Sequence, residues 1–337
     1  TTLCLHALLH CDTRRRRPRH SLGHAGPHLS LRRSVVWRRV NRAVRRRDLP
    51  CGGGLPMKGP EIVARTMTVP SIRDQHGNDW QYHSRSDRHS KVACWATMFD
   101  LLEQSALLRR HVAEGKVAFG VNHEFSDFRT RRKKKLDLVI HRPGTSTGAQ
   151  GRTFTELGEA LTLQLDGQDR SSLDALPELR EAPVGTVLMA LESKACMTKH
   201  VGSGPRLYDE LNSSHLTVHG AADQAIAVAL VMVNAASSFL SPDSNRKPLD
   251  AAVPPTVVTK LRQPDATEFV IGKVSELPTR TRPGQEGYDA IGIVVVDCPN
   301  DGSPISLVAE PPALEANHLF SYEWMIRRVA NQYDFLN

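Results

Sequence analysis

The chain has 337 residues, 24% of them charged and 40% hydrophobic, enough for one large domain or two small ones with a buried core. Its net charge of +8 is concentrated in residues 1–56, which hold thirteen Arg and two acids, while the other 281 residues hold 31 basic and 34 acidic side chains; a nucleic-acid partner must therefore be argued from local charge. Six Cys without a Cys-x-x-Cys pair argue against a disulfide scaffold, and the apolar run Ala225 to Val233 is too short for a spanning helix of about 20 residues, so a soluble, cytoplasmic protein with no membrane partner is expected.

Residues 1–56 read as an Arg-rich leader, disordered or non-native, with the folded chain expected to start near Met57-Lys58-Gly59-Pro60. Two other readings stay open. Leu31, Val35, Val40 and Val44 fit one face of a basic amphipathic helix suited to nucleic acid or an anionic membrane surface. An Arg-rich, acid-poor start also resembles an organellar transit segment.

Residues 57–90 show few periodic apolar positions and read as an irregular strap. The spacing of Val92, Trp95, Ala96, Phe99, Leu102, Ala106, Leu107 and Val112 predicts a helix running to Gly115. Lys116 to Val121 predicts a short strand, and the basic turn Arg129 to Lys135 leads into a second strand, Leu136 to Ile140, which carries Asp137. An insertion near 143–185 holds two short helical patterns. The third strand, Val187 to Ala195, contains Glu192-Ser193-Lys194. Pro205 to Leu211 and His215 to Asn234 read as helices, the latter buried because it is almost uniformly apolar from Ala225 onward. A second insertion, near 242–288, holds a predicted strand at Glu268 to Ile271. Ile291 to Val296 reads as a central strand and Leu319 to Tyr333 as a terminal helix. The order helix, three strands, helix, strand predicts an α/β domain over 91–337, with a mixed central sheet flanked by helices.

Glu192 and Lys194 are two residues apart on a strand, so their head groups share one side of it. Burying charge there is costly unless it is paired or bound to metal. With Asp137 on a neighbouring strand, two carboxylates and an ammonium suit metal-dependent hydrolysis of a phosphodiester. Mg²⁺ takes hard carboxylate oxygens and keeps several waters. Asp137 and Glu192 are the candidate metal ligands, with the Ser193 carbonyl as a third. Lys194 is expected to orient or help deprotonate the attacking water, its pKa lowered by burial. An isolated Glu-x-Lys is more often a solvated salt bridge; the apolar flanks and the upstream acid separate this one from that case.

The Asp137-bearing strand followed by Glu192-Ser193-Lys194 resembles the PD-(D/E)xK nuclease superfamily over roughly Val92 to Val296. Leu136 stands where the name-giving Pro would be, and the gap from Asp137 to Glu192 is long. The resemblance implies a restriction-endonuclease-like core and a Mg²⁺-dependent DNA endonuclease, with Mn²⁺ as a substitute, RNA still open as substrate, and a possible homodimer for cutting two strands. It also implies an acid from the first helix, with Glu103 first and Asp100 second. The alternative is a non-catalytic nucleic-acid-binding or assembly protein that retains the fold; a third reading makes the acidic pair a structural salt bridge.

Arg131, Arg132, Lys133, Lys134 and Lys135 are the expected contacts to a nucleic-acid backbone, joined by Lys199 and His200. Few aromatics punctuate the basic run, so base stacking is not expected. Cys196-x₃-His200 and His215-x₃-His219 have zinc-ligand residue types, but Asn212, Ser213 and Ser214 look like caps of a helix starting at His215. Asn122-His123-Glu124 ends the first strand within possible reach of the site.

Overall fold

The computed structural model describes residues 57–128, 131–144, 151–250 and 256–337. The Arg-rich leader, and Arg129 and Thr130 of the basic turn, lie outside them.

In chain order the elements are α1 (Gly59–Thr68), β1 (Ile72–Arg73), β2 (Asp79–Trp80), α2 (Arg88–Gln104), α3 (Ala106–Ala113), β3 (Ala118–Ser126) and β4 (Lys133–Pro143). There follow α4 (Phe154–Ala160), α5 (Gly167–Asp174), β5 (Val184–Cys196), α6 (His200–Ala221), β6 (Ile226–Asn234), β7 (Ser238–Leu240), β8 (Val258–Lys260), α7 (Asp265–Ser275), β9 (Ala290–Asp297), β10 (Ser306–Leu307) and α8 (Tyr322–Leu336). The main sheet has the order β10-β9-β6-β5-β4-β3. β3, β4 and β5 are antiparallel neighbours, β5, β6 and β9 run parallel, and β10 is antiparallel to β9.

Alternation along β6 sorts the two faces. Ile226, Val228, Leu230 and Met232 join a core with Ile62 of α1, Trp95 and Phe99 of α2, and Met325 of α8. Ala227, Ala229, Val231 and Val233 join a second core with Leu207, Leu211 and Val218 of α6 and Val270 and Val274 of α7. The small Ala side chains on that second face let its helices approach the sheet closely. All nine residues of β6 are buried.

That burial explains the main departure from the expected elements. The predicted helix from His215 to Asn234 ends at Ala221 as part of α6, and its apolar half is the central strand β6. A strand covered on both faces has no polar alternation, so its periodicity is silent; three β-branched Val in the run favour the strand. Pro205 to Leu211 belongs to the same helix α6, which places Asn212 to Ser214 in a helix interior, where Ser214 Oγ donates back to Glu210 O at 2.9 Å. The predicted strand at Glu268 to Ile271 is instead α7: Asp265 and Glu268 favour its first turn, and Val270, Ile271 and Val274 bury one face. The strap contains α1, seven of whose ten residues are buried. The expected helix to Gly115 breaks at Ser105, whose Oγ accepts the Leu108 N–H at 2.9 Å to start α3.

Of the predicted order, the first helix corresponds to α2 with α3, the three strands to β3, β4 and β5, and the final strand Ile291 to Val296 to β9; the second helix is met only as far as Ala221 in α6, and β6 is a strand that the predicted order did not contain. No helix among the described residues is long and apolar enough to cross a membrane.

Candidate active site

β4 and β5 pair from Pro143 and Val184 as far as Leu138 opposite Leu191, and there the ladder stops. Beyond it, β4 stays with β3, from His123 opposite Leu136 to Ser126 opposite Lys133. β5 stays with β6, with Glu192 opposite Ala229 and Lys194 opposite Val231. The sheet therefore opens where register brings Asp137 alongside Glu192. At the opening β4 also turns over: Leu138 packs in the α2-side core, whereas Leu136, two residues away, packs in the α6-side core. Asn122 on β3, at the level of Asp137, has a left-handed φ of 53°, a conformation that Asn tolerates better than most residues.

Asp137 fills the opening. Its Oδ2 accepts the Ser193 N–H at 2.9 Å, a donor that a continuous ladder would have bonded to β4. Burial, and then the charge of Glu192, pushes its carboxyl up to about 6, against the Ser193 hydrogen bond and Lys194. Glu192 is 1% exposed. Lys194 Nζ lies 2.7 Å and Lys134 Nζ 3.8 Å from its Oε1. The nearer contact is a charge-assisted pair at hydrogen-bond distance, whereas Oε2 has no hydrogen-bond partner among the described residues.

The two lysines behave oppositely. Burial acts to lower the Lys194 pKa, but Glu192, Asp137 and Glu210 outweigh it, so the group sits above its ordinary value. The expected lowering of Lys194 is thus reversed: this side chain is held as an ammonium. Lys134 is the one held below its ordinary value, by burial that the Glu192 charge only partly offsets. Its Nζ donates to the Glu210 carbonyl of α6. Lys134 therefore points inward beside Glu192 and not out toward a nucleic-acid backbone. The other members of the run, Arg131, Arg132, Lys133 and Lys135, are exposed, with Lys133 paired to Glu124 at 2.9 Å. Just before them Phe128 is 80% exposed, an aromatic at the base of the basic turn that the low aromatic content did not lead one to expect. The turn is closed by Asp127 N–H to Arg132 O and Arg131 N–H to Asp127 O, both 2.8 Å.

Glu103 is not brought to the pair. It sits in the last turn of α2, in an ion pair with Lys58 at 2.9 Å. Asp100 is engaged as well, accepting N–H groups of Lys58 and Gly59 at 2.9 and 2.8 Å and the Tyr322 hydroxyl at 2.8 Å, which caps α1 from outside. The opposite end of α2 faces the opening, about 21 Å away along the helix at 1.5 Å per residue. The charge of Asp87 at that end acts on Asp137, and that of Lys194 acts on His89. Asp87, the N-cap residue of α2, is exposed and paired with Lys91 at 2.7 Å, and its charge is the smallest of the influences on Asp137.

Lys199 is exposed at the start of α6, as a backbone contact requires. His200 is not: it is 2% exposed, with Nε2 2.8 Å from Asn234 O. Burial lowers its pKa, and the neutral ring ties α6 to the end of β6. The zinc reading also lacks geometry. Burial pushes the Cys196 thiol up to about 12, His215 Nε2 is engaged by Asn212 Oδ1 at 2.9 Å and His219 Nε2 by Gly287 O at 3.0 Å. Among the described residues no three His, Cys, Asp or Glu side chains converge as a metal site.

A divalent oxygen-seeking cation has two carboxylates to use. Glu192 offers a buried Oε2 without a hydrogen-bond partner among the described residues and an Oε1 paired with Lys194, and one Asp137 oxygen is oriented by Ser193. Mg²⁺ is commonly held by one or two carboxylates with water completing its shell, so this donor set fits it. Comparison of the chain with protein-family models, characterised proteins and solved structures finds no match.

Proposed function

We propose that the chain is a Mg²⁺-dependent endonuclease that hydrolyses DNA phosphodiester bonds, built on a restriction-endonuclease-like core. The observation that carries this reading is the opening between β4 and β5, which places Asp137, Glu192 and Lys194 at one point of the sheet. The PD-(D/E)xK resemblance rests on a helix, a strand, the Asp137 strand and the Glu192-Ser193-Lys194 strand in that order, and α2, β3, β4 and β5 supply them, with further helices between.

Asp137 and Glu192 would hold the cation, and Mn²⁺ could replace it. When bound, such an ion polarises a phosphoryl oxygen and lowers the pKa of a bound water. Ser193 N–H fixes the Asp137 carboxylate. Lys194, held as an ammonium, orients the attacking water and offsets negative charge that builds on the phosphoryl group. Arg131, Arg132, Lys133, Lys135 and Lys199 supply exposed charge for the backbone of the substrate. A homodimer would let two such sites cut both strands.

The test is nicking of methylated and unmethylated plasmid by the full chain in Mg²⁺ or Mn²⁺, beside Asp137→Asn, Glu192→Gln and Lys194→Ala. Cleavage that the three substitutions abolish supports the proposal; cleavage that survives them removes the site. One observation favours a second reading, a nucleic-acid-binding or assembly protein without turnover: Lys194 and Lys134 already oppose the Glu192 charge. Salt-sensitive DNA binding without cleavage in either metal would select it.

A further inference from the structure

A cavity of about 160 Å³ opens between the β1–β2 hairpin, residues 83–85 and the turn after β7. It is too small for a nucleoside-sized ligand, whose pockets start near about 300 Å³. His76, His83, Arg85 and Arg246 line it, with Asp74 and Asp243.

The walls are fixed before any ligand arrives. Asp74 Oδ1 accepts the N–H groups of His76 and Asn78 at 2.8 and 3.0 Å, and Oδ2 accepts Asn78 Nδ2 and Trp80 Nε1 at 2.9 and 2.8 Å. Its carboxylate is thus used up in shaping the hairpin. Asn78 ties that hairpin to the far wall, donating to Lys247 O at 2.8 Å and accepting from Leu249 N at 2.9 Å. Asn245 stiffens the same wall through Ser241 O and Val257 O, at 3.0 and 2.8 Å.

What remains unengaged is mostly positive or donating. Arg246 makes no hydrogen bond or ion pair among the described residues. Arg85 has one distant ion pair, 3.9 Å from Asp243 Oδ1, while Asp243 Oδ2 accepts the Ser84 hydroxyl at 2.8 Å. His83 Nδ1 accepts the Arg85 N–H at 3.1 Å, so its proton resides on Nε2. His76 Nε2 faces the Gln75 amide nitrogen at 3.2 Å; that nitrogen can only donate, so the His76 proton resides on Nδ1. Two guanidinium groups balance the charges of Asp74 and Asp243, but the Asp74 oxygens are filled by four neutral donors and Asp243 Oδ2 by Ser84, so the groups left with hydrogen-bonding capacity are mainly the donors of Arg85, Arg246, His76 and His83.

We propose that this cavity binds a phosphoryl group. Guanidinium and imidazole N–H donors on different walls favour an oxyanion whose acceptor oxygens point in tetrahedral directions, as a phosphoryl group's do, over a planar carboxylate. Arg is the side chain best shaped for that partner. The site is independent of the proposed phosphodiesterase centre. A nucleic-acid end, a backbone diester and free phosphate each supply such a group, and the test separates these sources.

The full chain is titrated calorimetrically with inorganic phosphate, with one oligonucleotide bearing either a 5′-phosphate or a 5′-hydroxyl, and with acetate. Arg85→Ala and Arg246→Ala are each expected to weaken phosphoryl binding about tenfold or more, from the loss of charge-assisted bonds. Both side chains are exposed, and an unchanged melting temperature without ligand controls for folding. Arg246-dependent binding of the 5′-phosphate form alone identifies a nucleic-acid end. Equal dependence for both oligonucleotides identifies a diester, and dependence for inorganic phosphate alone identifies the free ion. Absence of saturable binding to all phosphoryl probes, binding unchanged in both variants, or acetate binding as tightly as phosphate overturns the proposal. Lys194→Ala should leave this binding intact, so failure here and failure of the nuclease reading are distinguishable.

Discussion

The backbone N–H of Ser193 donates to Asp137 Oδ2 at 2.9 Å, across the point where β4 and β5 cease to pair. One carboxylate thus replaces a rung of the sheet while standing beside a second, buried one. Burial and then Glu192 push Asp137 up to about 6, above the ordinary value of about 3.9. The folded chain therefore holds this proton more tightly than the unfolded chain. Stability from this group is present at low pH and is lost as pH rises through about 6. Asp137→Asn keeps an acceptor for Ser193 and removes the charge. In EDTA its urea midpoint should exceed the wild-type midpoint at pH near 7.5 and approach it near pH 4, within the window set by these values. Midpoints that differ equally at both pH values would contradict the placement of Asp137 in the field of Glu192.

Lys194 and Lys134 flank Glu192 Oε1 at 2.7 and 3.8 Å. Removing either leaves a 1% exposed carboxylate with one counter-charge. Breaking a fully buried pair costs about 3–5 kcal/mol. Lys194 is 28% exposed and Lys134 remains, so Lys194→Ala should cost less, about 1–3 kcal/mol in urea unfolding. Its cleavage rate should fall about 10²-fold. Lys134→Ala should cost similar stability but act mainly on KM, since Lys134 adds positive charge without the close contact. Equal kcat losses in both variants would make the two lysines one functional unit.

How far these residues were legible depends on whether their surroundings left a pattern. Asp137 and Glu192 stand out because each is a charge in an apolar run on a strand. Lys134 was misplaced although the signal existed: period 2 puts it on the side of Leu136, with Lys133 and Lys135 opposite. The direction of α2 was legible only from topology. Its last turn leads through α3 to Ala118, which pairs with His141 at the end of β4 away from the opening. An acid near the start of α2 is therefore closer to Asp137 than Glu103 is. β6 was illegible because double-sided burial erases periodicity, and the Arg246 cavity because its walls meet only through long-range contacts such as Asn78 with Lys247.

That topology separates two acids by position. Glu103 pairs with Lys58 at 2.9 Å far from the opening, whereas Asp87, paired with Lys91 at 2.7 Å, is near enough for its charge to act weakly on Asp137. Glu103→Gln should leave any cleavage activity within about twofold, a change below about 0.5 kcal/mol. Asp87→Asn should alter its dependence on Mg²⁺ concentration, because an acid near the cation adds to its local attraction. A large rate loss in Glu103→Gln, with an unshifted Mg²⁺ midpoint in Asp87→Asn, would reverse the assignment.

Arg280 and Asp289 form a pair with both side chains at 0% exposure, Nε to Oδ1 at 3.0 Å and to Oδ2 at 3.1 Å. Asp289 also accepts the Ala227 N–H at 2.7 Å, and Arg280 donates to Asp223 O and Ala225 O at 2.9 and 2.8 Å. The network ties the starts of β6 and β9 together below the core. Such a pair specifies geometry more than it stabilises, but removing one half strands a buried charge. Arg280→Met should therefore destabilise by about 3–5 kcal/mol. Arg280→Met with Asp289→Asn should recover part of that loss, because the second change removes the stranded charge. Asp289 Oδ1 also accepts from Gln332 Nε2, and a double variant less stable than the Arg280→Met single would show that the hydrogen bonds Asp289 accepts from Ala227 and Gln332, and not its charge, hold the strand ends.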